Sequence, residues 1–256
     1  MNLSQVAAQL YTVRDHCRSA LELAVTARKI RAIGYPAVQL SGLGPIDDRE
    51  IVAIMRGEGL AICATHEPAA DILERPEKVI DRLQRLGCRL TAYPYPQGVD
   101  LADPVQVDRL IRQLDAAGAR LRAAGCMLGY HHHALEFASL DGTLILDRIL
   151  AGARPENLVA ELDVYWVRCG GGDPVDWCRR LRGRLPFIHL KDHHLAADNR
   201  PEPCELGAGS LPFREIVAAA EAAGCEWFIV EQDTCPGDPF DSLKISFDYL
   251  AAELIA

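Results

Sequence analysis

Short apolar runs alternate with longer segments of helical period along all 256 residues of this chain. Such alternation is typical of parallel strands that are each followed by a helix. The predicted strands are Val6–Tyr11, Pro36–Leu40, Leu60–Thr65, Arg89–Tyr93, Cys126–Tyr130, Leu158–Asp163, Pro186–Leu190 and Trp227–Val230. The predicted helices are Ser19–Ala32, Asp47–Gly57, Pro76–Leu86, Asp103–Ala124, Thr143–Leu150, Pro174–Leu181, Phe213–Ala223 and Asp241–Leu254.

Glycine and proline mark the borders of these units. Gly34 and Gly87 stand where a predicted helix ends and the next strand begins. Asp103-Pro104 is typical of a helix start, with the aspartate as N-cap and the proline in the first turn. Eight units in about 250 residues predict an α/β fold, a single (β/α)8 TIM barrel over residues 1–256. A doubly wound sheet would need fewer units and an early glycine-rich turn.

Charge and composition exclude several classes of protein. The chain carries 27 basic and 36 acidic side chains, a net charge of −9, and a negative surface repels nucleic acid. The first residues lack the basic and apolar regions of a signal peptide, and no apolar run is long enough to cross a membrane. The nine cysteines never form a C-x-x-C pair. We therefore expect a soluble cytoplasmic protein with reduced thiols.

Polar side chains follow every predicted strand. In a barrel of this kind the active site forms where the carboxyl ends of the strands meet. The residues at these ends include Gln9, Tyr11, Gln39, Ser41, His66, Glu67, Tyr93, Tyr95, His131, His132, His133, Glu136, Glu161, Asp163, His189, Lys191, Asp192, Glu231, Gln232 and Asp233. Carboxylates and imidazoles that converge on one axis repel one another less when a cation lies between them. The pattern therefore predicts a divalent metal ion.

The last four strands each offer one ligand for such an ion, namely Glu136, Asp163, His189 and Glu231. Three carboxylates and one imidazole suit Mn²⁺ best, with Mg²⁺, Co²⁺ and Zn²⁺ as alternatives. Each residue also has a simpler interpretation. A glutamate or aspartate after a strand often caps a helix, and a single histidine on an apolar strand is often a core residue. The occurrence of all four on successive strands favours the metal site.

Other motifs carry less information. The sequence contains no H-E-x-x-H, Walker A, G-x-S-x-G or G-x-G-x-x-G pattern. The long connection after the seventh strand contains Glu205-Leu206-Gly207-Ala208-Gly209, and long loops at this position often cover a substrate. Trp166 follows Asp163 closely and is predicted either to wall the pocket or to pack against the next helix.

Several segments together resemble one known family. They are Gln9-Leu10-Tyr11-Thr12-Val13-Arg14, Gly129-Tyr130-His131-His132-His133-Ala134-Leu135-Glu136-Phe137, Glu161-Leu162-Asp163-Val164-Tyr165-Trp166, Gly171-Gly172-Asp173-Pro174, His189-Leu190-Lys191-Asp192, Glu205-Leu206-Gly207-Ala208-Gly209 and Val230-Glu231-Gln232-Asp233. The chain resembles the sugar phosphate isomerase/epimerase family, whose barrel is xylose-isomerase-like. Similar members include ketose 3-epimerases, hydroxypyruvate isomerases, inosose dehydratases and enzymes acting on 3-keto sugars.

The resemblance has consequences for individual residues. It implies one metal ion on Glu136, Asp163, His189 and Glu231, and substrate contacts from His66, His131, His133 and Lys191, to which we add Trp166 and Glu205. The family often has His-Asn-His where this chain has His131-His132-His133, so the role of His132 stays open. Family members are often dimers or tetramers, which implies a homo-oligomer.

The expected chemistry is proton abstraction next to a carbonyl of a small sugar or polyol. A metal ion would stabilise the enediolate, while Glu136 and Glu231 would remove and return the proton. Isomerisation or epimerisation is the favoured reaction. A lyase or dehydratase acting on a keto sugar or keto-inositol is the alternative, in which a histidine such as His66 or His133 assists loss of a hydroxyl. An abasic-site endonuclease conflicts with the negative charge, and a non-catalytic sugar-binding barrel conflicts with the presence of both glutamates.

Overall fold

The computed structural model describes residues 1–198 and 200–255 and contains a closed barrel of eight parallel strands. The barrel strands are β1 (Val6–Gln9), β2 (Ala37–Leu40), β3 (Ala61–His66), β4 (Leu90–Tyr93), β5 (Met127–His131), β6 (Val159–Asp163), β7 (Phe187–Leu190) and β8 (Trp227–Val230). Each strand pairs with its neighbours in chain order, and β8 pairs with β1 to close the barrel. The predicted (β/α)8 fold is confirmed.

Helices surround the barrel. The α-helices are Ala20–Ile33, Asp48–Gly57, Ala69–Glu74, Pro76–Leu86, Pro104–Ala123, Ile145–Gly152, Val164–Cys169, Pro174–Arg180, Phe213–Ala223 and Pro239–Glu253, and short 3-10 helices span Leu3–Gln5, Leu10–His16 and Ala134–Phe137. Two antiparallel ribbons pair Ser139–Leu140 with Thr143–Leu144 and Asp192–Leu195 with Pro201–Cys204. None of the helices in the described ranges has both the length and the apolar composition that crossing a bilayer requires.

The boundaries differ from the prediction where polar side chains interrupt the backbone pattern. The first strand ends at Gln9 rather than Tyr11, because the Gln9 side chain accepts a hydrogen bond from the Tyr11 N–H and begins a 3-10 helix. Asp163 similarly caps the unpredicted helix Val164–Cys169 by accepting from the Trp166 N–H at 3.1 Å. The helix expected from Thr143 begins at Ile145, since residues 143 and 144 belong to a ribbon.

The barrel interior has an apolar layer towards the amino ends of the strands. It consists of Ala7, Ala37, Cys63, Ala64, Leu90, Ala92, Phe187 and Ile229, all buried. Small side chains leave room for the Phe187 ring, and a Cβ at Gly129 would lie 2.5 Å from the Phe187 Cζ atom. This layer fills the lower barrel, so the polar side chains of the interior lie towards the carboxyl ends of the strands. The nine cysteines are free thiols, as predicted.

Candidate active site

Four buried side chains from successive strands meet at the carboxyl end of the barrel. His131 ends β5, Asp163 ends β6, His189 lies in β7 and Glu231 follows β8. One ligand atom from each lies within 4.8 Å of the others. We call these residues the four-residue group. Three of them were predicted as ligands, and His131 holds the β5 position for which the resemblance implies Glu136.

Glu136 lies in a different environment. It is fully buried in the 3-10 helix Ala134–Phe137, where its Oε1 accepts from the Tyr130 hydroxyl at 2.9 Å and its Oε2 from the His133 N–H at 2.8 Å. Among the described residues, a second cluster of possible metal ligands consists of His66, His131, Glu161 and His189. Glu136 belongs neither to this cluster nor to the four-residue group. Burial raises the pKa of Glu136 to about 7, although both hydrogen bonds oppose the increase. Its role as a ligand or base stays a prediction.

Replacing Glu136 by Gln should remove a pH dependence of stability in the metal-free protein. Since the folded-state pKa of about 7 exceeds the usual 4.5, the folded chain binds this proton more tightly than the unfolded chain. The resulting stabilisation is complete below pH 4.5 and is lost as the pH rises to about 7. Over that interval the unfolding free energy of the wild type should fall by roughly 3 kcal/mol relative to Glu136→Gln.

Urea denaturation at about pH 4.5 and about pH 8, with chelator present, measures this difference. Glu226→Gln is the matched control, because the Glu226 carboxylate is half-exposed and pairs with Arg89, outside the site. Parallel pH profiles for the wild type and Glu136→Gln would contradict the prediction. A gain in stability on adding Mn²⁺ that the Gln variant lacks would instead support Glu136 as a metal ligand.

A second polar layer lies beside the four-residue group. His66 in this layer was predicted as a substrate contact, whereas Gln39 and Glu161 were noted only as polar residues at strand ends. Glu161 is fully buried and accepts hydrogen bonds from Gln39 Nε2 at 2.6 Å and from His66 Nε2 at 2.5 Å. Gln39 Oε1 lies 2.7 Å from His189 Nε2. This contact fixes the His189 ring so that its Nδ1 faces the carboxylates of the group, an orientation typical of metal-ligating histidines. Alternation along β6 places Glu161 on the same face as Asp163, and that signal could have identified it.

Lys191 is buried at the edge of the four-residue group. Its Nζ lies 3.0 Å from Asp163 Oδ2, 2.8 Å from Glu231 Oε2 and 2.8 Å from Asp233 Oδ2. Burial would raise the pKa of Asp163, but the Lys191 charge and the contact with His189 outweigh it and lower that pKa. The same two cations, against burial, lower the pKa of Glu231. Asp163 and Glu231 are therefore ionised.

The donor set fits a divalent metal ion. Among the described residues, Asp163 Oδ2 and His131 Nδ1 are buried and make no well-aligned hydrogen bond. Their charged neighbours are Lys191 Nζ, 3.0 Å from Asp163 Oδ2, and Glu161 Oε2, 3.2 Å from His131 Nδ1. The site contains four carboxylates, those of Glu161, Asp163, Glu231 and Asp233. They face the Lys191 ammonium and the imidazoles of His66, His131 and His189. Two carboxylates and two imidazoles in the group itself are ligands that Mn²⁺ and Zn²⁺ accept. His131, Asp163, His189 and Glu231 could hold such an ion.

A cavity of about 240 Å³ opens beside the group, and we call it the reaction cavity. Its lining comprises Tyr11, Ser41, His66, Pro94, Tyr95, His131, His133, Glu231 and Asp233. Three of the predicted substrate contacts, His66, His131 and His133, thus surround it. Burial lowers the pKa of His133 to about 2, and the neighbouring His131 adds to the effect, so a substrate would meet a neutral imidazole.

The remaining predicted contacts lie in different places. The Trp166 ring packs 5.4 Å from the His133 ring, and its buried Nε1 has no hydrogen-bond partner. The Lys191 Nζ lies 5.6 Å from the centroid of the Trp166 ring. Glu205 Oε1 instead accepts from the Ser242 hydroxyl at 2.6 Å and does not line the reaction cavity. Its predicted contact with substrate is untested.

His132 supports the site without entering the cavity. Its Nε2 accepts a hydrogen bond from the Asp163 N–H at 3.1 Å, so the ring must be unprotonated at that atom. Burial lowers the pKa of His132 to about 4, which keeps the acceptor available at neutral pH. The middle histidine of the run therefore fixes the end of β6, where Asp163 stands.

Asp192 holds the long connection after β7. Its carboxylate accepts hydrogen bonds from the backbone N–H groups of Gly207, Gly209, Ser210 and Leu211 at 3.0 to 3.2 Å. A Cβ at Gly209 would lie 2.3 Å from Asp192 Oδ1, so this contact requires glycine there. The loop that contains Glu205 is thus tied to the barrel by one buried carboxylate.

Comparison with known proteins agrees with this architecture. Inosose dehydratase from Lacticaseibacillus casei is 26% identical over 164 residues, which cover 57% of this chain and 54% of that protein. The chain thus spans about half the length of the inosose dehydratases that it matches. A sugar phosphate isomerase/epimerase from Parabacteroides distasonis ATCC 8503 has a TM-score of 0.81 and 21% identity, covering 98% of this chain and 95% of that chain.

A structure of L-ribulose 3-epimerase has a TM-score of 0.77 and 17% identity, covering 98% of this chain and 94% of that chain. At these identities the two structures show the fold alone. Residues 27–252 match the family described as "Xylose isomerase-like TIM barrel", which includes all four members of the four-residue group. The chain therefore belongs to the xylose isomerase-like TIM barrel family.

Proposed function

We propose that this chain is a divalent-metal-dependent sugar isomerase or epimerase that removes a proton from the carbon next to a carbonyl. The observation that carries the proposal is the four-residue group, two carboxylates and two imidazoles buried together beside an open cavity. Relatives named as an isomerase/epimerase and as L-ribulose 3-epimerase support the same class of reaction. We propose Mn²⁺ as the native ion, since mixed oxygen and nitrogen donors suit it.

When bound, the ion supplies a Lewis acid that stabilises the enediolate formed as the proton leaves carbon. Glu231 is the stronger candidate for the base, because it lines the reaction cavity while Glu136 is enclosed. Lys191, 2.8 Å from Glu231 Oε2, keeps this carboxylate ionised before it accepts the proton. Neutral His133 and the His66 imidazole face the cavity and can hydrogen-bond sugar hydroxyls.

Dehydration of a keto sugar or keto-inositol is the second candidate. The observation that favours it is the pair formed by His66 Nε2 and Glu161 Oε2 at 2.5 Å. A histidine beside a buried carboxylate is suited to give a proton to a departing hydroxyl, and His66 lines the cavity. The similarity to inosose dehydratase supports this candidate as well.

We further propose a cytoplasmic enzyme with a small sugar or polyol as substrate and no nucleic-acid partner. Nine free cysteines fit a reducing compartment. The net charge of −9 opposes binding to a polyanion. A homo-oligomer stays a prediction from the resemblance.

Incubation in D2O with ketoses, 3-keto sugars and inososes should give metal-dependent deuterium uptake at the carbon next to the carbonyl, visible by NMR. An isomerase or epimerase would return sugars whose mass changes only by the label, whereas a dehydratase would yield a product lighter by one water. Chelation should abolish the uptake, and Mn²⁺ should restore it. Uptake that is unchanged in metal-free protein would overturn the proposal.

A further inference from the structure

The reaction cavity continues into a larger cleft. This outer cleft, about 630 Å³ in volume, lies over the loops that follow β2 and β3 and against the helix Pro76–Leu86. Four lining residues are common to both spaces, namely Tyr11, Ser41, His66 and Pro94. A molecule that places its reacting carbon beside the four-residue group can therefore extend into the outer cleft without leaving the protein surface.

The sizes of the two spaces suit two parts of one substrate. At about 240 Å³, the reaction cavity is smaller than the roughly 300–1,000 Å³ typical of pockets for drug-sized ligands. The outer cleft falls inside that range. A single small sugar would leave the outer cleft occupied by water, although it is the larger of the two spaces.

The charged residues of the outer cleft neutralise one another. Arg82 pairs with Asp48 at 2.9 Å and with Glu67, Arg85 pairs with Asp48 at 2.9 Å, and Lys78 pairs with Asp71 at 2.6 Å. Each cation that lines the cleft thus already contacts a carboxylate that lines it. A phosphate would have to displace a carboxylate from an existing pair, which opposes an anionic ligand.

The same pairs suit a neutral ligand rich in hydroxyl groups. Guanidinium and ammonium groups offer donors, carboxylates offer acceptors, and hydrogen bonds to charged groups are stronger than those between neutral groups. Tyr11, Leu43 and Pro68 add accessible apolar surface to the lining, against which the C–H faces of a sugar ring can pack. Donors and acceptors that lie beside apolar surface are typical of sites that bind carbohydrates.

We propose that the outer cleft binds a second, uncharged sugar unit, joined by a glycosidic bond to the sugar that reacts. This inference rests on the proposed function, because the reacting unit is the one assigned to the reaction cavity. The substrate class that follows is an oxidised disaccharide or similar glycoside rather than a free monosaccharide or a sugar phosphate.

Binding measurements can test the outer cleft without turnover. Calorimetric titration should compare trehalose, maltose, cellobiose and sucrose with glucose and with glucose 6-phosphate. At least one disaccharide should bind about tenfold more tightly than glucose and than glucose 6-phosphate. Leu43→Trp, which fills the cleft, should weaken binding of that disaccharide about tenfold and leave glucose within about twofold.

Two further variants test whether a loss of disaccharide binding has a cause other than filling of the outer cleft. Arg85→Trp also fills the cleft from a half-exposed position and should cause the same loss if Leu43→Trp fails to fold. Leu21→Trp places the same side chain on an exposed site of the helix Ala20–Ile33 and should bind all probes as the wild type does. Tighter binding of glucose 6-phosphate, no preference for any disaccharide, or unchanged disaccharide binding in a folded cleft variant would each overturn the inference.

Failure of this inference differs from failure of the proposed function. Disaccharide binding that depends on Leu43, without deuterium uptake on any free keto sugar or on the keto form of the disaccharide that binds, would support the outer cleft and contradict the proposed reaction. Deuterium uptake on free keto sugars with no disaccharide preference would support the reaction and remove the second sugar subsite.

Discussion

Replacing Glu231 by Gln should lower the rate of metal-dependent deuterium uptake by about 100-fold or more. The amide has nearly the shape of the carboxylate but cannot accept the proton from carbon. Glu231 lines the reaction cavity and is only 5% exposed, so no water or neighbouring exposed group can replace it easily. NMR exchange rates for the wild type and the variant at matched metal content measure the effect.

Two comparisons make this result specific. Glu226→Gln alters a half-exposed glutamate that pairs with Arg89 only five positions earlier and should leave the exchange rate unchanged. Glu136→Gln should reduce the rate less than Glu231→Gln, because Glu136 contacts Tyr130 and the His133 backbone rather than the cavity. Comparable losses in both variants would support the two-glutamate mechanism implied by the resemblance. Near-normal exchange in both would shift the base to His66, His131 or His133.

Replacing His189 by Ala should weaken Mn²⁺ binding by about 100-fold or more and reduce deuterium uptake accordingly. His189 Nδ1 lies 2.8 Å from Glu231 Oε2, and the variant removes the only nitrogen that the β7 strand contributes to the four-residue group. Elemental analysis after dialysis against buffered Mn²⁺ measures occupancy. Added imidazole should restore part of the binding, since it can fill the space that the side chain leaves.

His194→Ala is the matched control, because His194 is half exposed in the neighbouring ribbon and lies outside the group. The apolar layer beneath the site is untouched in His189→Ala, so the far-ultraviolet circular dichroism should stay that of the wild type. Unfolding of the variant would indicate that His189 serves the core instead. Unchanged Mn²⁺ occupancy would exclude it as a ligand.

The sequence predicts the barrel better than it predicts the site. Each predicted strand corresponds to an observed one. Short apolar runs flanked by glycine are typical of buried strands, so the sequence indicates their positions well. Asp163, His189 and Glu231 were identifiable because they stand at or next to strand ends. At these positions the alternation of the strand determines which way the side chain points. Glu136 lies beyond the end of β5, in a 3-10 turn that directs it back towards Tyr130, and periodicity carries no information about such a turn.

Long-range pairing explains why Gln39 and Glu161 were noted at strand ends in the sequence without an assigned role. Gln39 and Glu161 are separated by 122 positions, yet a 2.6 Å hydrogen bond joins them across the barrel. Nothing near Gln39 in the sequence indicates that its amide also contacts His189. The domain assignment over residues 1–256 stays a prediction, as does the oligomeric state.

The order of the strands links the site to the assembly of the second half of the barrel. The four members of the group come from β5 to β8, and Glu231 directly follows β8, which pairs with β7. The group is therefore incomplete until β8 has paired with β7. An ion that requires all four ligands would bind only chains in which β5 to β8 are assembled, and it would favour that assembly by mass action. Metal uptake followed in real time during refolding would then report when the second half of the barrel forms.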